Sequence, residues 1–278
     1  MLNEALGAFH TESSVPNSIA TRRVRCHSRL ISSLVFCHLA MSNLVCGAAF
    51  AQHVPQDVAQ PRAIGVVELF TSQGCPKCPP ADRLIADLAR QPGTIAVSFA
   101  VNYWDYIGWK DTLASPAFSA RQQAYAEARG DRRVFTPQAI VDGRGVEPGA
   151  DKDAILRDMR ALQEGSGASR VPMSVVEAGG FLRVHIGKGV AQGPIGVYVL
   201  RVAHTETVQI ARGENSGRSV TYTNVVRAMN KLGAWTGDPT DYQTIDLKGD
   251  DEGYVVLLQA GSASKPGLIL AAAKTAGL

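Results

Sequence analysis

Past residue 46 this sequence keeps only two of its five cysteines, Cys75 and Cys78, in 278 residues. That scarcity excludes a fold stapled by many disulfides, and it excludes a four-thiolate zinc site. Histidine is scarce too. Beyond residue 51 there are His53, His185 and His204, none near the cysteine pair in sequence, whereas zinc takes three protein ligands in a catalytic site and four in a structural one. Charge of one sign is also missing. Arg22, Arg23, Arg25 and Arg29 stand against Glu4 and Glu12 in the first 51 residues, and the rest of the chain balances 24 basic with 23 acidic residues. Without a basic surface nothing points to nucleic acid or anionic lipid as a partner. No apolar run after Phe50 is long enough to cross a bilayer. With 45% hydrophobic and 19% charged residues, the composition is that of a packed globular protein.

What is present begins near the N-terminus. A basic stretch, Arg22 to Arg29, precedes an apolar run, Leu30 to Phe50, which closes on Ala49-Phe50-Ala51 before Gln52. That is the order of a cleavable secretory signal. Ser32, Ser33, His38, Ser42 and Asn43 interrupt the run, which weighs against a retained membrane anchor, the competing reading. Residues 1–51 are therefore expected to be a signal peptide and 52–63, with Pro55 and Pro61, a linker. The mature chain is expected to be periplasmic or secreted, with no stable membrane span after signal cleavage. Cys26, Cys37 and Cys46 fall within the signal. The remaining pair closes a trivial loop, so reactivity explains it better than stapling.

Two regions follow. In 64–165, Ile64 to Phe70 reads as a buried strand, Ala81 to Arg90 as a helix with Leu84, Ile85 and Leu88 on one face, and Thr94 to Val101 as a second strand. Ser115-Pro116 and Gly130 bracket a helix over 116–129. Gln138 to Val141, the Asp142-Gly143 turn and a return through Val146 form a hairpin. Asp151 caps a last helix that aligns Ile155, Met159 and Leu162. This order predicts an α/β domain with a mixed sheet. The Gly- and Ser-rich segment Glu164 to Arg170 reads as a boundary. Beyond it, 171–278 is β-rich and sandwich-like: a hairpin across Gly179-Gly180, then strand runs at Ile195–Val202, Thr207–Ala211, Tyr254–Gln259 and Leu268–Ala271.

The chemistry concentrates at Cys75-Pro76-Lys77-Cys78, between a buried strand and a helix. A helical first turn brings two thiols three residues apart within bridging reach. A helix N-terminus stabilises a thiolate, with Lys77 adding to it, and the thiolate is the nucleophile. Cys75 is expected at the exposed helix tip as attacker, and Cys78, one turn inside, as the resolving thiol. Glu68, with apolar neighbours on both sides, is a candidate buried acid to take the proton of Cys78; the alternative is a side chain that turns to a solvated face or pairs with a lysine. Thr136-Pro137 ahead of the strand 138–141 suits a cis proline that presents backbone beside the disulfide; an edge-strand proline is the alternative. The Gly213 to Arg218 loop lacks the context of a nucleotide motif and reads as a turn over the redox site.

Cys75 to Cys78, Pro137, the hairpin and the closing helix lie in the order of the thioredoxin fold. More closely, Val67 to Cys75, Cys78-Pro79-Pro80-Ala81-Asp82, Tyr103-Trp104-Asp105, Gly108 to Asp111, Thr136-Pro137-Gln138 and Arg212 to Asn215 resemble the secreted thioredoxin-like family catalogued as domain of unknown function 1223. The resemblance spans roughly residues 64–275. It implies a thioredoxin-like mixed sheet with helices on both faces plus a β-rich C-terminal part, and it implies no substrate. One departure stands out: the family often carries His and Asp just before Tyr-Trp-Asp, where this chain has Ala100 and Asn102. Trp104 and Asp105 remain as groove candidates, or as a packed aromatic and a turn-capping carboxylate. The expected activity is thiol–disulfide exchange with a protein or small thiol or disulfide, with no cofactor and no bound metal. The alternatives are a non-catalytic binding module on the same scaffold and a copper-thiol protein.

Overall fold

The computed structural model describes residues 65–165 and 171–278. The expected signal, the whole of the linker and most of the boundary segment lie outside the described residues. Gly65–Thr71 (β1) is buried along its whole length, because its side chains face covered layers on both sides. It pairs in parallel with Thr94–Ala100 (β2), and antiparallel with Gln138–Val141 (β3). Gly145–Pro148 (β4) completes the hairpin with β3. Pro79–Ala89 (α1) and Lys152–Gly165 (α3) cover one face, where Val67, Leu69, Ala139 and Val141 meet Leu84, Leu88, Ile155 and Met159. Pro116–Arg129 (α2) covers the other, where Val66, Phe70, Val97 and Phe99 meet Phe118 and Tyr125.

The helix signals act as expected. The Ser115 side chain accepts from the Ala117 amide, Pro116 opens α2, and Gly130 closes it in the left-handed conformation at φ 81°. The Asp151 carboxylate accepts from the Ala154 amide at 3.0 Å at the start of α3.

The C-terminal region is β-rich, and it continues the same sheet. Ile195–Gln209 (β7) and Ser219–Ala234 (β8) form a long hairpin, with Glu252–Ser262 (β10) and Lys265–Lys274 (β11) beyond it. The order is β11-β10-β7-β8-β2-β1-β3-β4, eight strands in one mixed sheet. Met173–Ala178 (β5), Phe181–Ile186 (β6) and Thr240–Ile245 (β9) make a second, three-stranded sheet. It covers the face of β7, β10 and β11 that α2 leaves open, packing Val175, Leu182, Val184 and Ile186 on Val197, Val199, Val256 and Leu258.

Two expectations change. The runs 195–202 and 207–211 lie in one strand, and β8 and β9 form where no strand is expected, because their polar residues mask a weak alternation. The regions 64–165 and 171–278 join where β2 meets β8 at Ser98↔Val225. Ser98 Oγ donates to the Thr223 carbonyl at 2.9 Å and Asn224 Nδ2 to the Ala96 carbonyl at 2.8 Å. Both regions belong to one compact unit. Among the described residues, no helix is long and apolar enough to cross a membrane.

Candidate functional site

The cysteine segment leaves the C-terminal end of β1 and turns twice before α1. The Cys75 amide donates to the Ser72 carbonyl at 3.1 Å, and the Cys78 amide to the Cys75 carbonyl at 3.2 Å. Cys78 is the N-cap residue of α1, its carbonyl accepting from Ala81 at 2.8 Å and Asp82 at 3.1 Å. The second turn sets the two Cα atoms 5.4 Å apart and the sulfurs at disulfide distance.

Cys75 is buried, not exposed as expected. Cys75 is 1% exposed and Cys78 0%, while Pro76 and Lys77 between them face solvent. Cys75 precedes the helix instead of forming its tip, and two loops bond to the segment that leads into it. Pro79 and Pro80 fill the first helical positions and carry no N–H, so the free donors expected to face a thiolate there are reduced.

Gln73 organises the first of these loops. Its amide donates to Asp111 Oδ2 at 2.7 Å and its Nε2 to Thr112 Oγ1 at 3.1 Å, while its Oε1 accepts from Trp109 Nε1 at 2.8 Å. Trp104 is half-buried, donates from Nε1 to Thr136 Oγ1 at 2.7 Å, and packs beside Gly74. Asp105 Oδ1 accepts from the Asp111 amide at 3.1 Å, a turn-capping role. At the departure from the family pattern, Asn102 Oδ1 accepts from Ser119 Oγ at 2.6 Å. The Thr136–Pro137 bond is cis. The antiparallel register Phe70↔Gln138 puts Pro137 beside the end of β1, where the cysteine segment begins.

Glu68 is fully buried, as one of its readings had it, but it does not meet Cys78. Glu68 shares the β1 face of Val66 and Phe70, towards α2, whereas α1 lies across the sheet. Arg121 Nε donates to Glu68 Oε1 at 2.8 Å, with Nη2 2.7 Å away, and the Tyr125 hydroxyl donates to Oε2. Gln259 of β10 closes the network, donating to the Tyr125 hydroxyl at 2.8 Å and accepting from Arg121 at 3.1 Å. Glu68 is thus an ion-paired core residue, not the acid beside the thiols.

A different carboxylate occupies the α1 side. Asp82, 2% exposed, lies four residues after Cys78 on the same helix face and accepts from Thr71 Oγ1 at 2.7 Å. Burial pushes its carboxyl up to about 7; the Thr71 bond opposes this and Asp111 adds to it. Asp111 is raised as well, by burial first. Tyr222 of β8 is raised by burial and by the field of both carboxylates. The second covering loop contributes Asn215, whose Nδ2 donates to the carbonyls of Gln73 and Cys75, each at 2.9 Å. Among the described residues no three His, Cys, Asp or Glu side chains converge as a metal site.

A family model described as a protein of unknown function (DUF1223) matches residues 66–259. The chain belongs to the DUF1223 family. Among solved structures, this DUF1223 chain is similar to protein AGR_C_4864 from Agrobacterium tumefaciens, with 35% identity, 79% of this chain and 97% of that one covered, and a TM-score of 0.71. It is also similar to HBP35 of Porphyromonas gingivalis, with 13% identity, coverage of 77% and 75%, and a TM-score of 0.54, a likeness of fold alone. No curated protein matches the chain.

Sequence alone assigns no role to Asp82 or Asn215 of this DUF1223 chain, although both stand in the runs that mark the family. For Asp82 the usable signal was its spacing of four from Cys78 on a helix. Asn215 lies 140 residues from Cys75, and no local pattern announces that contact.

Proposed function

We propose that this protein is an exported, thioredoxin-fold thiol–disulfide oxidoreductase working through Cys75 and Cys78. The observation that carries the reading is the cysteine pair at disulfide distance between β1 and α1, beside Pro137 and a buried carboxylate. The βαβ unit of β1, α1 and β2, then α2, the β3–β4 hairpin and α3, with sheet order β2-β1-β3-β4, supports the thioredoxin-like assignment. The leader-like first 51 residues support export.

In the reduced protein, the Cys75 thiolate attacks a substrate disulfide, forms a mixed disulfide and releases one substrate thiolate. Asp82 accepts the proton of Cys78, and the Cys78 thiolate then attacks Cys75 Sγ. The Cys75–Cys78 bond forms and the second substrate thiolate leaves. Two electrons pass from protein to substrate disulfide; the Cys78 proton, held by Asp82, and the proton that Cys75 gave to solvent on ionising supply the two substrate thiols. The reverse sequence oxidises a dithiol.

The Cys78→Ala variant is expected to accumulate a mixed disulfide on Cys75 that survives acid quenching and disappears with reductant, read by mass. The Asp82→Asn variant is expected to slow resolution more than attack. A wild-type pair that never cycles between alkylatable and protected forms sinks the reading. The burial of Cys75 favours a second reading, a binding module with a static disulfide. Retention of function in Cys75→Ser, with loss on mutation of the aromatic loop, would select it.

A further inference from the structure

A buried pair that exchanges with partners needs a way in, and the tip of the β7–β8 hairpin is bonded to its backbone at Cys75. Beyond Ala203↔Val225 the two strands continue as a ribbon to Gln209↔Ser219, starting next to Asn224, whose φ is 48°. The tip, residues 210–218, is closed by Ile210 N to the Arg218 carbonyl at 2.9 Å and Gly217 N to the Ile210 carbonyl at 2.8 Å. From 211 to 219 every residue is exposed or half-buried except Asn215, which is 1% exposed. Its side chain inserts under the tip and bonds to the carbonyls of Gln73 and Cys75, while Ile210, 2% exposed, anchors the start of the tip. Its Oδ1 is buried without a hydrogen-bond partner. Closing therefore strips that oxygen of water and offsets part of what the two amide bonds contribute, which makes the Asn215 contact the weak point of the closed tip.

We propose that Asn215 is the specificity-determining latch of a lid over Cys75, sorting partners by size. The inference rests on the thiol–disulfide reading above. With the tip closed, a compact thiol reaches the sulfur through local fluctuation. A thiol on a folded protein reaches it only after Asn215 withdraws and the ribbon lifts. The closed lid then favours small thiols, and a thiol on a folded protein reacts only as fast as the lid opens.

The test uses the full oxidised chain and three thiols: 2-mercaptoethanol, glutathione, and a small folded protein carrying one exposed cysteine. Rates of opening of the Cys75–Cys78 bond are read by quenching, alkylation and mass, with a Cys-Pro-Lys-Cys peptide disulfide as the unlidded reference. Rates are expected to fall with thiol size much more steeply in the protein than in the peptide. Asn215→Ala is expected to raise the protein-thiol rate about tenfold and the 2-mercaptoethanol rate less than about threefold. An unchanged size dependence in a cycling Asn215→Ala variant overturns the lid and leaves the redox reading standing. Failure of every thiol to open the pair in wild type and variant overturns both. Should the variant not fold, hydrogen exchange of the wild type decides. Amides of Ser216, Gly217 and Arg218 exchanging well ahead of Thr207 and Thr221 support the lid, and tip amides exchanging only with global unfolding overturn it.

Discussion

Asp82 and Glu68 are both buried carboxylates, and their partners give them opposite consequences. Asp82 has one hydroxyl donor and a second carboxylate in its field, so its folded form holds a proton up to about pH 7, against an ordinary 3.8. A carboxyl whose folded value is raised binds more protons folded than unfolded, so stability falls as pH rises from about 4 to about 7 and is flat above. That interval amounts to roughly 4 kcal/mol. Asp82→Asn keeps an acceptor for Thr71 and carries no charge. It is expected to flatten the urea-midpoint profile between pH 4 and 7 and to exceed wild-type stability at pH 8. Glu68→Gln works the other way. It leaves the Arg121 guanidinium buried without its counter-charge and is expected to lower stability by about 3–5 kcal/mol. Cysteine alkylation kinetics should be unchanged, because Glu68 faces α2. The apolar neighbours of Glu68 left burial and a solvated face both open, and its face within the sheet was not legible. A strand covered on both sides has no polar alternation to tell one face from the other.

At the scale of elements, what was legible carried its own punctuation. Helix α2 announced itself through Ser115, Pro116 and Gly130, and the β3–β4 hairpin through Asp142-Gly143, which takes φ values of 47° and 76°. Strand β8 has no such marks. Its sequence mixes Asn224, Arg227, Asn230 and Lys231 with apolar residues, and its central buried stretch exists because β2 and β7 flank it. Long-range pairing supplied that burial, and no window of residues contains it. The β3–β4 turn also shows how elements constrain one another. Gly143 is needed for its positive φ and because a Cβ there would overlap the Gly267 carbonyl in β11. Gly143→Ala meets rigid backbone on one side and a disfavoured conformation on the other. It is expected to cost more than the roughly 1 kcal/mol of an ordinary left-handed glycine replacement, read from the urea midpoint at constant m.

The whole molecule depends on the joint between its two regions. Cutting the chain after residue 165 removes β8 from the edge of β2 and strips Tyr198, Leu200, Val202, Val226, Val255, Leu257 and Ile269 from the apolar cluster that includes Phe70, Phe99 and Phe118. It also removes Gln259 from the Glu68–Arg121–Tyr125 network. The Cys75–Cys78 bond spans three residues and adds little chain-entropy stabilisation, so reduction leaves this architecture in place. The two regions therefore share one cooperative core, and they should unfold together. The three tryptophans make this measurable, since Trp104 and Trp109 report on the first region and Trp235, buried in the second apolar cluster, on the other. With Trp235 replaced by Phe in one protein and Trp104 and Trp109 replaced in another, each fluorescence transition in urea is expected to coincide with that protein's far-ultraviolet circular dichroism. Separate midpoints for fluorescence and dichroism in either protein, or a folded 65–165 fragment with a cooperative transition of its own, would show two independent domains and refute the shared core.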